Sequence, residues 1–407
     1  MLGRLKFRIE GLVTEMLDQL PRQVWQDPKV TFLDPAMGGG QFLEQIVERL
    51  RAAGHANSNI RRRVFGVEAN EGRVNFVRLK NLPIQTAVGG IDTDYGSVFG
   101  LKKIDVDCGN PPYVDSSEGE ANIYHDFVNF NADYILKVLP SSWFMSDESN
   151  HKEFRNKILQ YGLKWIKVHP MTIFGNGVNV KTASIYAEKG YKGPITVDHY
   201  LGFKLIIKIE DFNDKIIICS NQTFVSKLKN YSKQIGYKSK PGKAPVSFKR
   251  PENDYCKLRK DEKYKFPIII QLSKTNHKYS YSSEVFDPDY NKYRVAFGYL
   301  TPGGYDKGTT HLGIVSVVEP GVQLAVSYRY IVCKNLNDAI NLKRYLESKF
   351  VRYILYWTRT SRTLDNPQIQ YIPYLNKKCI NDEEIYNHFE LNDREIRSIE
   401  VLHEEST

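Results

Sequence analysis

Asn110-Pro111-Pro112-Tyr113, directly after the strand-like run Ile104 to Gly109, is a tetrapeptide suited to gripping an exocyclic amino group. An aromatic amine such as adenine N6 is a poor nucleophile because its lone pair is conjugated into the ring, so an enzyme that methylates it must redirect that pair. The amide oxygen of Asn110 and the main-chain carbonyl of Pro111 are two acceptors for the NH2, and proline fixes the backbone angle that aims its carbonyl. Tyr113 supplies a flat face for a base swung out of its stack, since a paired base cannot offer its amine to a methyl donor. The alternative is a proline turn after a buried strand, with Tyr113 merely packed.

The elements that must position such a group lie upstream. Val30 to Leu33 reads as a short buried strand running into Asp34-Pro35-Ala36-Met37-Gly38-Gly39-Gly40-Gln41-Phe42, and Phe42, Leu43, Ile46, Val47 and Leu50 then follow at helical spacing. Strand, glycine turn and helix open an α/β nucleotide-binding unit, in which glycines let a ligand approach the backbone. The turn lacks the Lys-Ser/Thr ending of a phosphate loop and the spacing of a dinucleotide fingerprint, which disfavours a triphosphate or NAD. A second strand, Val64 to Val67, ends in Glu68, placed either to accept from ribose hydroxyls or to sit solvated at the strand end.

The order of these segments resembles the γ group of S-adenosylmethionine-dependent N6-adenine DNA methyltransferases, the TaqI-like enzymes and their type IIG relatives. Asp34 to Phe42 is similar to their cofactor loop, typically DPACGSGNF, with departures at Met37, Gly39 and Gln41 that leave Gly38 and Gly40 in place. The resemblance implies S-adenosyl-L-methionine as cofactor, held by Asp34, Pro35, Ala36, Gly38 and Gly40, with Glu68 on the ribose and Asp92 near the cofactor's adenine, Asp94 being the competing position. The tetrapeptide matches the family's catalytic motif without a change, so Asn110, Pro111, Pro112 and Tyr113 are the implied catalytic residues, and Asn110 also counts among those lining the cofactor site. Leu139 to Phe144, expected after a helix from Ile123 to Val138, is similar to the family's strand ending in Pro-x-x-Trp/Phe. Phe174 takes by resemblance the place of a phenylalanine that packs on the flipped adenine opposite the tyrosine; ordinary core packing is its other reading. One segment departs: where the family reads like Phe-Thr-Pro-Pro-Glu-Leu-Val and closes over the methionine part of the cofactor, this chain has Phe7-Arg8-Ile9-Glu10-Gly11-Leu12-Val13. The helix after it, Leu12 to Leu20, keeps apolar spacing at Leu12, Met16, Leu17 and Leu20 and is expected to dock on the sheet.

Composition sets the frame. At 407 residues and 41% hydrophobic content the chain is long enough for two cores. It has no run of about 18 apolar residues and no signal-peptide centre, so a cytoplasmic protein without a membrane partner is expected. Five scattered cysteines argue against a disulfide framework and against paired zinc ligands, and no metal is expected. The net charge of +10 is uneven: from Lys227 to Lys265 thirteen basic residues face four acidic ones, interleaved with Tyr231, Tyr237, Phe248, Tyr255 and Tyr264. Beside a DNA-methyltransferase signature this stretch is expected to face double-stranded DNA through Lys238, Lys240, Lys243, Lys249 and Arg250, a solvated basic loop being the alternative.

The expected architecture is α/β. A Rossmann-like seven-stranded methyltransferase sheet spans residues 1–195, and a C-terminal α+β target-recognition domain spans 196–407, with strand-like runs at Pro267–Ile270 and Gly313–Val318 and a helical segment from Leu336 to Trp357. Type IIG relatives carry a nuclease domain ahead of the methylase; this chain opens on the first methylase-like segment, and none is expected here. The motif also occurs in enzymes acting on RNA amines or protein glutamine amides, and the altered N-terminal segment leaves a catalytically weakened DNA-binding relative as a further reading.

Overall fold

The structure is a computed structural model that describes residues 2–90, 93–112, 127–146, 148–174, 181–208, 215–233, 237–274, 276–299, 312–358, 369–375 and 381–404. The chain divides into two compact units, Met1–Ile216 and Ile217–Thr407.

In the first unit α1 (Leu2–Leu17) and α2 (Arg22–Gln26) precede β1 (Phe32–Asp34), α3 (Gln41–Ala52), α4 (Asn57–Ile60), β2 (Val64–Glu68), α5 (Glu71–Leu79), β3 (Gln85–Val88), α6 (Tyr95–Phe99) and β4 (Val106–Gly109). Then come β5 (Tyr134–Pro140), α7 (Ser149–Tyr161), β6 (Leu163–Val168), β7 (Thr182–Glu188), β8 (Ile195–His199) and β9 (Lys204–Ile207). The sheet has nine strands in the order β3-β2-β1-β4-β5-β7-β6-β8-β9, not the seven expected from sequence. Its first seven positions hold five parallel strands, β1 to β5, with β7 running antiparallel between β5 and β6. The two extra strands extend the edge: β8 pairs parallel to β6, and β9 antiparallel to β8. They also explain why the unit runs on to Ile216 instead of ending at 195, because Gly190 to Pro194 is only a turn between strands of one sheet.

Strands β1, β2 and β4 are buried along their whole length, as parallel strands covered on both faces must be. The main core joins Leu12, Val13, Met16 and Leu17 of α1 and Phe42, Leu43, Ile46, Val47 and Leu50 of α3 to Phe32, Val64 and Val106 of the sheet. The apolar spacings read from sequence on α1 and α3 are therefore the faces that dock. The helix expected from Ile123 to Val138 is not formed across its described part: Tyr134 to Pro140 is strand β5, paired with β4 and β7. A continuous apolar run carries no period that separates a buried strand from a buried helix, and Tyr134, which donates its N–H to the Asp105 carbonyl at 2.9 Å, starts the ladder.

The second unit is α+β. One sheet is ordered β10 (Lys240–Pro241), β17 (Tyr328–Cys333), β14 (Tyr293–Gly298), β15 (Ser316–Val318). The other is β11 (Cys256–Lys257), β13 (Lys278–Ser282), β12 (Phe266–Gln271), β16 (Gln323–Leu324). The single helix expected from Leu336 to Trp357 is two, Leu336–Leu346 and Lys349–Thr358. The break sits at Ser348, whose hydroxyl accepts the Val351 N–H at 3.3 Å while Asp382 accepts the Lys349 N–H at 2.9 Å, together capping the second helix. No described helix is long and apolar enough to cross a membrane.

Candidate active site

Strand order reverses between β1 and β4, and in an open α/β sheet ligands bind outside the carboxyl ends of the strands at such a point. The segments after β1 and β4 are the glycine turn and the Asn110 tetrapeptide. They meet there.

The glycine turn is held from three sides. Gly38 (φ 52°) and Gly40 (φ 81°) lie in the left-handed region that a side chain resists. The Met37 N–H donates to the Val67 carbonyl on β2 at 2.9 Å, and the Lys80 ammonium donates to the Gly39 carbonyl at 2.6 Å while pairing with Glu44 at 2.6 Å. Met37 replaces a smaller residue of the resembling loop, and it fits because Gly66 on β2 leaves room: a Cβ there would stand 2.5 Å from the Met37 sulfur. Glu68 accepts the Gly38 N–H at 3.0 Å through one oxygen and the Asn70 N–H at 3.0 Å through the other. A carboxylate has about four lone-pair positions, so it retains acceptors for further donors.

A cavity of about 510 Å3 opens over this turn, lined by Asp34, Pro35, Ala36, Gly38, Glu68, Asn110 and Pro112 among the residues singled out by sequence. Pro111 is buried between its two exposed neighbours, and Gly40 is the N-cap just before α3; neither is among the described residues lining the cavity. Asp92 and Tyr113 lie outside the described residues. Phe174 ends a 3-10 turn, Met171–Phe174, and is half-buried against the main core; it is not among the described residues lining the cavity. Sequence reasoning missed Ala69, Arg73 and Phe127, which also line it, as do Val13, Gly89 and Gly90 from stretches the resemblance had placed near the cofactor. The stretch that departs from the family's Thr-Pro segment belongs to helix α1 and brings Val13 to the cavity wall.

Asp34, on the cavity wall, interacts with two further buried ionisable side chains, Asp107 and Lys137. Asp34 accepts the Ala36 N–H at 3.1 Å, and its carboxyl faces Gly109, where a Cβ would come within 2.4 Å of it. Gly109 also has φ 135°, so any side chain there meets both strain and Asp34. Burial pushes the Asp34 carboxyl up to about 7, against the pull of Lys137. Since the folded protein keeps this proton where the unfolded chain has lost it, stability should fall as pH rises from about 4 through 7. Asp34→Asn should flatten that decline by about 2–4 kcal/mol in denaturant unfolding at pH 5 and pH 8; equal slopes for both proteins would place the ionisation elsewhere.

In the second unit Lys238, Lys243, Lys249 and Arg250 are exposed, with Phe248 half-exposed 4.8 Å from the Lys278 ammonium. Lys240 differs. It pairs at 2.6 Å with Asp289, which also accepts from Lys292 and from the Tyr330 hydroxyl. Against the upward push of burial, the bonds from Lys240, Lys292 and Tyr330 hold the Asp289 carboxyl at about 2. The ammonium of Lys240 therefore serves the fold at least as much as the surface. Among the described residues no cluster of His, Cys, Asp and Glu is arranged to hold a metal.

The mixed sheet, with its antiparallel strand between β5 and β6 and its cavity at the carboxyl edge, is an open α/β fold that recurs in a solved restriction-modification enzyme. The Type IIL restriction-modification enzyme MmeI, solved in complex with DNA, shares it with a TM-score of 0.52 at 12% identity, over 99% of this chain and 78% of that one. A modification subunit of a putative type I restriction enzyme from Vibrio vulnificus matches with a TM-score of 0.38 at 17% identity, over 47% of this chain and 46% of that one. The type IIG restriction endonuclease BpuSI matches with a TM-score of 0.41 at 13% identity, over 94% and 60%. The chain thus spans about half the length of that modification subunit. No family model matches the sequence, and no curated protein matches it.

Proposed function

We propose that this chain is an S-adenosylmethionine-dependent DNA methyltransferase acting on N6 of a flipped-out adenine. The observation that carries the reading is that Asn110 lines the same cavity as Asp34, Gly38 and Glu68, so an amine acceptor and a cofactor cradle share one space. Its volume is within the range of cofactor pockets, and the Glu68 carboxylate beside the glycine turn suits ribose hydroxyls. S-adenosylmethionine, when bound, supplies an electrophilic sulfonium methyl. Asn110 and the Pro111 carbonyl hold the adenine amine and turn its lone pair toward that methyl; the proton leaves after transfer. Positioning and hydrogen-bond polarisation carry the rate, with no covalent enzyme intermediate. DNA as substrate draws on the fold shared with MmeI, whose structure contains DNA, and on the basic surface of the second unit.

Methylation-sensitive long-read sequencing of DNA from cells expressing the protein tests the reading. A modified adenine at one short sequence is the expected result, and unmodified DNA with methylated RNA or protein would redirect the substrate.

Tyr113 and Phe174 complete the proposal as the aromatic grip on the base. Phe174→Ala should weaken the flipped state by about 1–3 kcal/mol, seen as lost fluorescence of 2-aminopurine at the target position. Unchanged fluorescence and rate would leave Phe174 as a core residue only.

A further inference from the structure

Asp107 and Lys137 stand on the adjacent strands β4 and β5, their side chains 1% and 0% exposed. Enclosing two charges is costly, and well-packed apolar residues in their place are often as stable or more so. Stability alone therefore does not account for the pair. Its partners offer another account. The Lys137 ammonium donates to Asp107 at 2.6 Å and to the main-chain carbonyl of Cys108 at 3.0 Å. The other oxygen of Asp107 accepts the Asn129 N–H at 2.8 Å. Cys108 directly precedes Gly109, whose positive φ turns the chain into Asn110, and Asn129 lies two residues after Phe127 on the cavity wall. One buried pair thus ties down both the strand end that carries Asn110 and the segment that carries Phe127. Burial pushes the Asp107 carboxyl up while the Lys137 ammonium pulls it down.

We propose that Asp107 and Lys137 are positioning residues for methyl transfer: by fixing the Cys108 carbonyl and the Asn129 amide, they hold the acceptors of Asn110 and Pro111 at one aim. The inference rests on the methyltransferase reading above. Gly109 is the soft point of the segment, having no side chain to restrict its dihedrals, and Lys137 grips the peptide unit just before it. Two hydrogen-bond acceptors polarise an amine only when both point at it, and a displacement of about 1 Å at a reacting centre can cost about 100-fold in rate.

The test replaces the pair by apolar residues of similar size, Lys137→Met with Asp107→Leu, so that no charge is left unpartnered. The double variant is expected to fold, to bind S-adenosylmethionine within about twofold of the original, and to lose about 100-fold in single-turnover methylation with KM for DNA unchanged. Lys137→Gln, which keeps a shorter donor, is expected to lose about tenfold. Amide hydrogen exchange at Cys108, Gly109, Asn110 and Asn129 should quicken in the double variant while the rest of the sheet stays protected. A wild-type rate, or unchanged exchange at those four residues, in a folded variant overturns the proposal. So does failure of both variants to fold, because the pair would then be a requirement of the sheet. Should the unaltered protein transfer no methyl to DNA, the methyltransferase reading fails, and the exchange measurement still decides whether the pair holds this segment.

Discussion

Asn110→Ala lowers methyl transfer by about 100- to 1000-fold, the range for removing one fixed partner of the charge that develops in a transition state, while S-adenosylmethionine affinity stays close to that of the original protein. Asn110 follows the last residue of β4, is exposed, and lines the same cavity as the glycine turn. The backbone groups of that turn are bonded to β2, Glu68 and Lys80, and these bonds are expected to keep the cradle in place in the variant. Its amide oxygen is one of the two acceptors proposed for the amine, and its loss leaves the Pro111 carbonyl as the remaining one. Calorimetric titration with the cofactor and turnover with a labelled methyl group separate the two effects. Undiminished turnover would remove Asn110 from the chemistry, and a matching loss of cofactor affinity would assign it to the cradle instead.

The part of this site legible in sequence is the part fixed by local geometry. Gly38 and Gly40 read correctly as turn glycines because a positive φ is a demand on one residue, and Phe42, Ile46 and Leu50 read correctly as a helix face because their period is local. What stayed hidden depends on partners distant in the chain. Met37 fits only against Gly66, and Gly109 is obligatory because Asp34, on a different strand, fills the space a side chain would need. A signal for the buried pair was present, a lysine inside the apolar run Ile135 to Leu139 and an aspartate inside Val106 to Gly109, but it gains meaning only once β4 and β5 are known to be neighbours. The misread helix around Ile135 and the boundary at 195 share one cause: strand pairing is non-local, and neither a buried run nor a glycine turn reports it.

Charge replacement on the second unit should produce the largest change in DNA affinity. Lys238, Lys243, Lys249 and Arg250 are exposed, whereas Lys240 is engaged with Asp289, so the informative substitution set omits Lys240 even though sequence placed it with the others. Replacing the four with glutamine leaves up to four phosphates without a cationic partner, and each phosphate no longer neutralised flattens the slope of log affinity against log salt by about 0.9, giving about 3.6 for the set. Phosphate binding carries no sequence information, so specific and unrelated duplexes should be weakened alike. S-adenosylmethionine affinity should not change, because every residue assigned to the cofactor cavity belongs to the first unit. Lys240→Gln measured alone is the control: it leaves Asp289 with one fewer donor and should lower the unfolding midpoint, an effect the other four should not show. The measurement is DNA affinity across a salt series for the original protein and the fourfold variant. Parallel slopes would mean that these side chains face only solvent, and phosphate neutralisation would then have to come from other basic residues of the same stretch, Lys257, Arg259, Lys260, Lys263 and Lys265.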